Sequence, residues 1–131
     1  MNITKKTLKP FSAKVTLGLE LGYTEKLIEK TEIIQYLQKI QKDLILTENI
    51  YLSVSISDTN IVMSGQIEPH ILLSFINYPK FPLKPEKLKK EIEKLTKQLM
   101  RKFKQNRIVI EYLDETVMLE QSKEIDNRIK Q

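Results

Sequence analysis

His70 is the only histidine in the 131 residues, and there is no cysteine. Histidine titrates near neutrality, so His70 is the first residue to consider for proton transfer. Glu68 lies two positions earlier in Gln66-Ile67-Glu68-Pro69-His70. In an extended chain the two side chains share a face, which would put a carboxylate beside an imidazole. Tyr78 is the third candidate for such a site. Against this stands the ordinary role of a lone histidine as a hydrogen-bonding residue. No second histidine and no ligand-spaced carboxylates accompany it, so no metal site is expected. Asp114 and Glu115 are adjacent acids that read as turn residues, as do Asp58 and Asn60.

Two other features could recognise a ligand. Asn77-Tyr78-Pro79-Lys80-Phe81-Pro82 holds two aromatic–proline pairs in six residues. Such a stiff loop can present Tyr78 and Phe81 to a partner, or use them to close the end of a core. Either X-Pro bond can be cis at modest cost. Residues 84–107 carry ten cations against three anions, a net +7. The other 12 cations and 14 anions leave −2 for the rest of a chain whose total is +5. Lys87, Lys90, Lys94, Lys97, Arg101 and Lys104 step by three and four, so they form one helical stripe. That stripe can follow a phosphate backbone without reading sequence. It can equally be a solvated face, because lysine outnumbers arginine and Glu86–Lys90 and Glu93–Lys97 are ordinary i,i+4 pairs.

The elements that must position these residues follow from hydrophobic periodicity. Residues 13–21 alternate, with Val15, Leu17, Leu19 and Leu21 on one side: the first strand. Ile33, Leu37, Ile40 and Leu44 form a helical stripe over residues 31–45, with Thr31 as its expected N-cap. Residues 50–57 alternate as a second strand, and Asp58-Thr59-Asn60 supplies a turn. Ile61 begins the return strand, Ser64-Gly65 suggests a bulge, and residues 71–77 complete it. A helix over residues 85–105 starts at Pro85 and faces Leu88, Ile92, Leu95, Leu99 and Phe103 inward. Residues 107–113 and 116–119 close the series as a fourth strand and a short fifth.

The order predicts an α+β, two-layer sandwich. Its βαββαβ ferredoxin-like layout has a four-stranded, mainly antiparallel sheet, two helices on one face and a short fifth strand. Residues 1–12 read as a basic arm, 13–120 as a single domain and 121–131 as a loose polar tail. The layout resembles several ferredoxin-like families, but their motifs are missing. No aromatic RNP strands mark an RNA-recognition motif. No arginine-bearing glycine loop follows the first strand, as acylphosphatases need. No proline follows Met1, as tautomerases need.

The absence of cysteine excludes a disulfide scaffold, a thiolate metal site and a cysteine nucleophile, and fits a reducing compartment. No glycine-rich phosphate loop is present, so no cofactor is expected. No apolar run has membrane-spanning length and no signal-like segment opens the chain, which leads us to expect a cytoplasmic location and no membrane partner. The open sheet face mixes polar and apolar residues, which favours self-association or a protein partner over chemistry. The alternatives are sequence-independent nucleic-acid binding through the basic helix, and a small oligomeric enzyme with a His70-centred site at a subunit boundary.

Overall fold

A computed structural model describes residues 1–126. Its elements are β1 (Ala13–Gly18), α1 (Lys30–Glu48), β2 (Val54–Met63), β3 (Gln66–Phe75), α2 (Pro85–Lys102), β4 (Arg107–Tyr112) and β5 (Thr116–Glu120). The sheet order is β2-β3-β1-β4-β5, and all four pairings are antiparallel. The sheet is therefore wholly rather than mainly antiparallel. Strands β1 and β2 run the same way with β3 inserted between them, and β3 and β4 do so around β1. That is the ferredoxin-like split βαβ arrangement, with β5 added at one edge.

The two central strands supply the middle of the core. Val15 and Leu17 of β1, with Ile71, Leu73 and Phe75 of β3, are buried on one sheet face. Ile108 and Ile110 of β4 extend that face. Both helices close on it, α1 through Ile33, Leu37, Ile40 and Leu44, and α2 through Leu88, Ile92, Leu95 and Leu99. Each fully buried aliphatic side chain is worth about 1.5–3 kcal/mol of transfer free energy. Among the described residues no helix lies on the opposite face of the sheet.

Several boundaries differ from the sequence expectation. Strand β1 stops at Gly18 rather than residue 21. The chain from Leu19 then folds back on itself, with Leu21 N–H donating to Lys26 O at 2.8 Å and Ile28 N–H to Leu19 O at 2.7 Å. Helix α1 begins at Lys30, one residue before the expected cap Thr31. Glu29 is its N-cap, and the Glu32 carboxylate reaches back 3.4 Å to the Glu29 N–H. Helix α2 ends at Lys102 rather than residue 105. Lys104 adopts a left-handed φ of 52°, and Gln105 N–H returns to Met100 O at 2.9 Å, a Schellman stop.

The β2–β3 hairpin departs most from expectation. Asp58-Thr59-Asn60 is not a turn; it lies within β2, which runs on to Met63. Ser64-Gly65 is not a bulge but the turn itself, with φ of 44° and 87°, and Met63 pairs with Gln66 across it. Two consecutive left-handed residues match the twist of a two-residue hairpin. Pro69 sits inside β3 without breaking it. Its carbonyl accepts from Leu19 N–H at 3.0 Å, so its missing N–H also lies on the side past the end of β1, outside the β2 ladder.

Residues 1–10 are exposed and carry no helix or strand; Phe11 packs edge-on against Tyr112. The expected loose tail is in part tied down. Gln121 N–H donates to Asn106 O and Ser122 N–H to Asn106 Oδ1, both at 2.9 Å. The remainder, residues 127–131, lies outside the described residues. No helix among the described residues is long and apolar enough to cross a membrane.

Candidate active site

A cleft of about 380 Å³ opens on the uncovered sheet face. It lies at the end where β1 and β2 finish and β3 and β4 begin. Its floor is Thr16 and Gly18 from β1, Glu68 and His70 from β3, and Val109 and Glu111 from β4. The projecting hairpin adds Ile61 and Met63 as an apolar wall. Glu20, Tyr23, Gln105, Arg107 and Asp126 form the opposite rim. The volume falls within the range of small-molecule sites.

His70 and Glu68 do share this face, because β3 is extended through Pro69. His70 is mostly buried, its side chain 15% exposed. Its Nδ1 lies 3.2 Å from the Glu68 carbonyl oxygen. A carbonyl only accepts, so the neutral ring carries its proton on Nδ1 and leaves the Nε2 lone pair available. The Glu68 carboxylate is 4.0 Å from Nε2, an ion-pair distance rather than a hydrogen bond.

Gly18 faces His70 across the β1–β3 ladder. A Cβ at Gly18 would come within 2.8 Å of Gln105 Oε1 and 3.5 Å of His70 Nε2. The glycine thus lets a buried amide approach the strand. Gln105 Nε2 donates to Glu20 O at 2.9 Å and to Phe103 O at 3.0 Å, which fixes that amide.

The far rim is a polar network centred on Tyr23. Its hydroxyl accepts from Arg107 Nη1 at 2.8 Å and Asn106 Nδ2 at 3.0 Å, and donates to Glu124 O at 3.2 Å. Arg107 Nε also donates to Glu120, and that hydrogen bond holds the guanidinium above its ordinary value. Three segments distant in sequence are joined here, so Tyr23 is held despite its exposed loop position.

Tyr78, the third expected member, is elsewhere. It follows the other end of β3, beyond the five residues, or ~17 Å, that separate His70 from Phe75. Tyr23 stands near the cleft instead. Phe81 stacks on Tyr51 at 4.3 Å between ring centroids and lies 6.3 Å from Tyr78. No peptide bond among the described residues is cis. Asp114 and Glu115 are also remote from the cleft; both accept from Lys89 Nζ, at 3.0 and 3.3 Å.

On α2, Lys87 pairs with Glu91 at 3.0 Å, and Lys90, Lys94, Lys97 and Arg101 remain exposed. Lys104 lies past the helix end, and Arg107 belongs to β4 and the cleft rather than to the basic run. Sequence reasoning missed Arg107, Gln105, Asn106 and Asp126. Only Gly18 carried a signal, since glycine inside a strand marks a close approach. Among the described residues no group of three His, Asp or Glu side chains is placed to hold a metal ion.

No family model matches the sequence, and no curated protein matches it. Two solved structures share its fold. One is a phage SAM lyase in complex with S-methyl-5′-thioadenosine, 18% identical, with a TM-score of 0.70. The other is a phage SAM lyase in its apo state, 16% identical, with a TM-score of 0.71. Each alignment covers 95% of this chain and 100% of the other.

Proposed function

We propose that this chain is a lyase that cleaves S-adenosylmethionine in the open-face cleft and releases S-methyl-5′-thioadenosine. The observation that carries the reading is the convergence of His70, Glu68, Glu111 and Tyr23 on one cleft. It is supported by a fold shared over the full length of a phage SAM lyase. This enzyme reading displaces association alone as the primary function.

The charge of the cleft suits such a substrate. Among the described residues, Glu20, Glu68, Glu111 and Asp126 line it against one arginine, in a chain that is net +5. Carboxylates attract a sulfonium and an ammonium, and that attraction weakens when cleavage turns the sulfonium into a neutral thioether. They therefore account for binding and for product release. They do not account for acceleration, because they stabilise the charged ground state more than a transition state in which the charge is fading. Acceleration must come from geometry.

The S–Cγ bond breaks with its electron pair going to sulfur. The substrate's own carboxylate can form the new C–O bond at Cγ and close a lactone, with no proton transferred. The cleft then need only hold the aminobutyryl chain folded, and effective molarity supplies the rate. Alternatively, His70 Nε2 takes the β-proton and an alkene forms. General-base catalysis of that kind is worth about 10²–10⁴-fold.

Incubation of the purified protein with S-adenosylmethionine, followed by chromatography, tests the reading. S-methyl-5′-thioadenosine should accumulate with an equal amount of a four-carbon product, a lactone or an alkene. His70→Gln should lower kcat about 100-fold on the alkene route and far less on the lactone route. No thioadenosine above the enzyme-free blank would refute the activity.

A second reading concerns assembly. Strand β1 ends opposite His70, so residues 60–69 of the β2–β3 hairpin project with no β1 neighbour. Val62 and Ile67 pair on one side of this arm and are each 73% exposed. Ile61 and Met63 lie on the side that walls the cleft. An isolated two-stranded arm is marginal in water, and these side chains favour cover by a second copy. The cleft would then lie at a subunit boundary. Light scattering in ~0.15 M salt should give an oligomer, and Val62→Lys with Ile67→Lys should give a monomer; a monomeric parent would refute this.

A further inference from the structure

We infer that the helix-covered side of the molecule binds single-stranded nucleic acid, with bases stacking on an aromatic platform at the end remote from the cleft and phosphates following the exposed face of α2. This goes beyond the proposed lyase activity and uses none of its residues.

The platform is built by two segments. Tyr51 follows the end of α1, and Phe81 and Tyr78 lie in the loop before α2. Tyr51 and Phe81 stack at 4.3 Å with 20° between their planes; Tyr78 and Phe81 are 6.3 Å apart at 24°. Tyr51 and Tyr78 thus each lie within 24° of the plane of Phe81. Tyr78 and Phe81 keep 44% and 42% of their surface open, so they do not serve chiefly as a core lid. The loop is held in shape. Asn77 Nδ2 donates to Leu83 O at 2.7 Å, Leu83 N–H donates to Asn77 Oδ1 at 3.0 Å, and Phe81 N–H donates to Tyr78 O at 3.0 Å. Rings ordered before binding lose little entropy when a base arrives.

The basic track begins where the platform ends. Lys84 is the N-cap of α2, three residues after Phe81. Lys90, Lys94, Lys97 and Arg101 continue along the helix, all exposed. None of these five has an ion-pair partner among the described residues. The cations that do have partners, Lys87 with Glu91 and Lys89 with Asp114, fall outside this set. From Lys84 to Arg101 the track runs ~26 Å.

Stacked rings and a run of unpaired cations are the two parts of a sequence-tolerant single-strand site. A duplex would engage the cations alone, because its bases are already stacked. A basic track with no ring platform would favour neither form.

Fluorescence anisotropy with a labelled DNA strand of ~12 nucleotides tests this, since such sites take about 4–16. The strand should bind, its affinity should fall steeply with salt, and its own duplex should bind more weakly. Phe81→Leu keeps the apolar bulk and removes the π face; with Tyr78→Ala it should weaken binding about tenfold or more at fixed salt. Lys97→Glu with Arg101→Glu lies on an exposed helix face, leaves the core intact and should both weaken binding and flatten the salt dependence. Three results would each overturn the inference: no binding at low salt, equal binding of strand and duplex, or ring variants that bind like the parent.

Discussion

At the scale of single residues, Gly18 shows how a side chain that is absent shapes a site. The Gln105 amide occupies the space a Cβ would need, and His70 lies just beyond it. Gly18→Ala should therefore push Gln105 off its two carbonyl acceptors and crowd the imidazole. Overpacking of this kind costs about 1–3 kcal/mol, so a lowered melting temperature is expected. Under the proposed lyase activity, a larger proportional loss of thioadenosine release should accompany it, because the crowding falls on the cleft. A variant that melts and turns over like the parent would show that the amide has room to move. Part of this was legible. His70 with Glu68 was readable from spacing two, and Gly18, not singled out in the sequence, is the kind of strand glycine that permits close approach. The approaching group was not, because Gln105 comes from the opposite half of the chain and lies within a run that otherwise reads as helix.

At the scale of elements, the junction of α2 with the β4–β5 turn is held by charge. Lys89 donates to Asp114 and lies 4.5 Å from the centroid of the Tyr112 ring. That hydrogen bond chiefly holds the Asp114 carboxyl below its ordinary 3.8, so the folded state favours the carboxylate. Its contribution is complete above 3.8 and is lost as pH falls through the lower folded value. The same contact holds Lys89 above its ordinary 10.5; that contribution is complete below 10.5 and is lost as pH rises through the higher folded value. Asp114→Asn should flatten both limbs of a melting-temperature profile and leave the neutral plateau slightly lowered. Asp114 and Glu115 read as turn residues in the sequence, and they are; their partner on α2 could not be read. The β2–β3 hairpin failed for a related reason. Asp58-Thr59-Asn60 has turn composition, and the apolar residues change faces there, from Val54 and Ile56 to Ile61 and Met63, yet the ladder runs on through it and only Ser64-Gly65 offers two residues in the left-handed region. Composition and a change of apolar face both suggested a turn where the strand does not break.

For the whole molecule, the expected βαββαβ order sufficed to give the layer arrangement and the central position of β1 and β3. The location of the cleft was not in that order. It depends on where β1 stops and on how far the hairpin extends past it. Charge also acts at this scale. The chain is net positive while carboxylates dominate the described cleft lining, so under the proposed lyase activity a cationic substrate would meet an attractive site on a repulsive body. Affinity for S-adenosylmethionine should thus fall with ionic strength while affinity for neutral S-methyl-5′-thioadenosine stays nearly flat. Calorimetric titration at two salt concentrations measures the difference. Parallel salt dependence for both would remove the carboxylates from the binding argument.

The contacts around Tyr23 also have a history on the ribosome. Arg107 is separated from Tyr23 by 84 residues and Glu124 by 101. At about 5–20 residues per second, a nascent chain carries Tyr23 for roughly 4–17 s before Arg107 is even synthesised. Through that interval β1 also lacks β4 on one flank. A growing chain therefore has no finished cleft until Arg107 and Glu124 have both been added, and the rim closes in one late step.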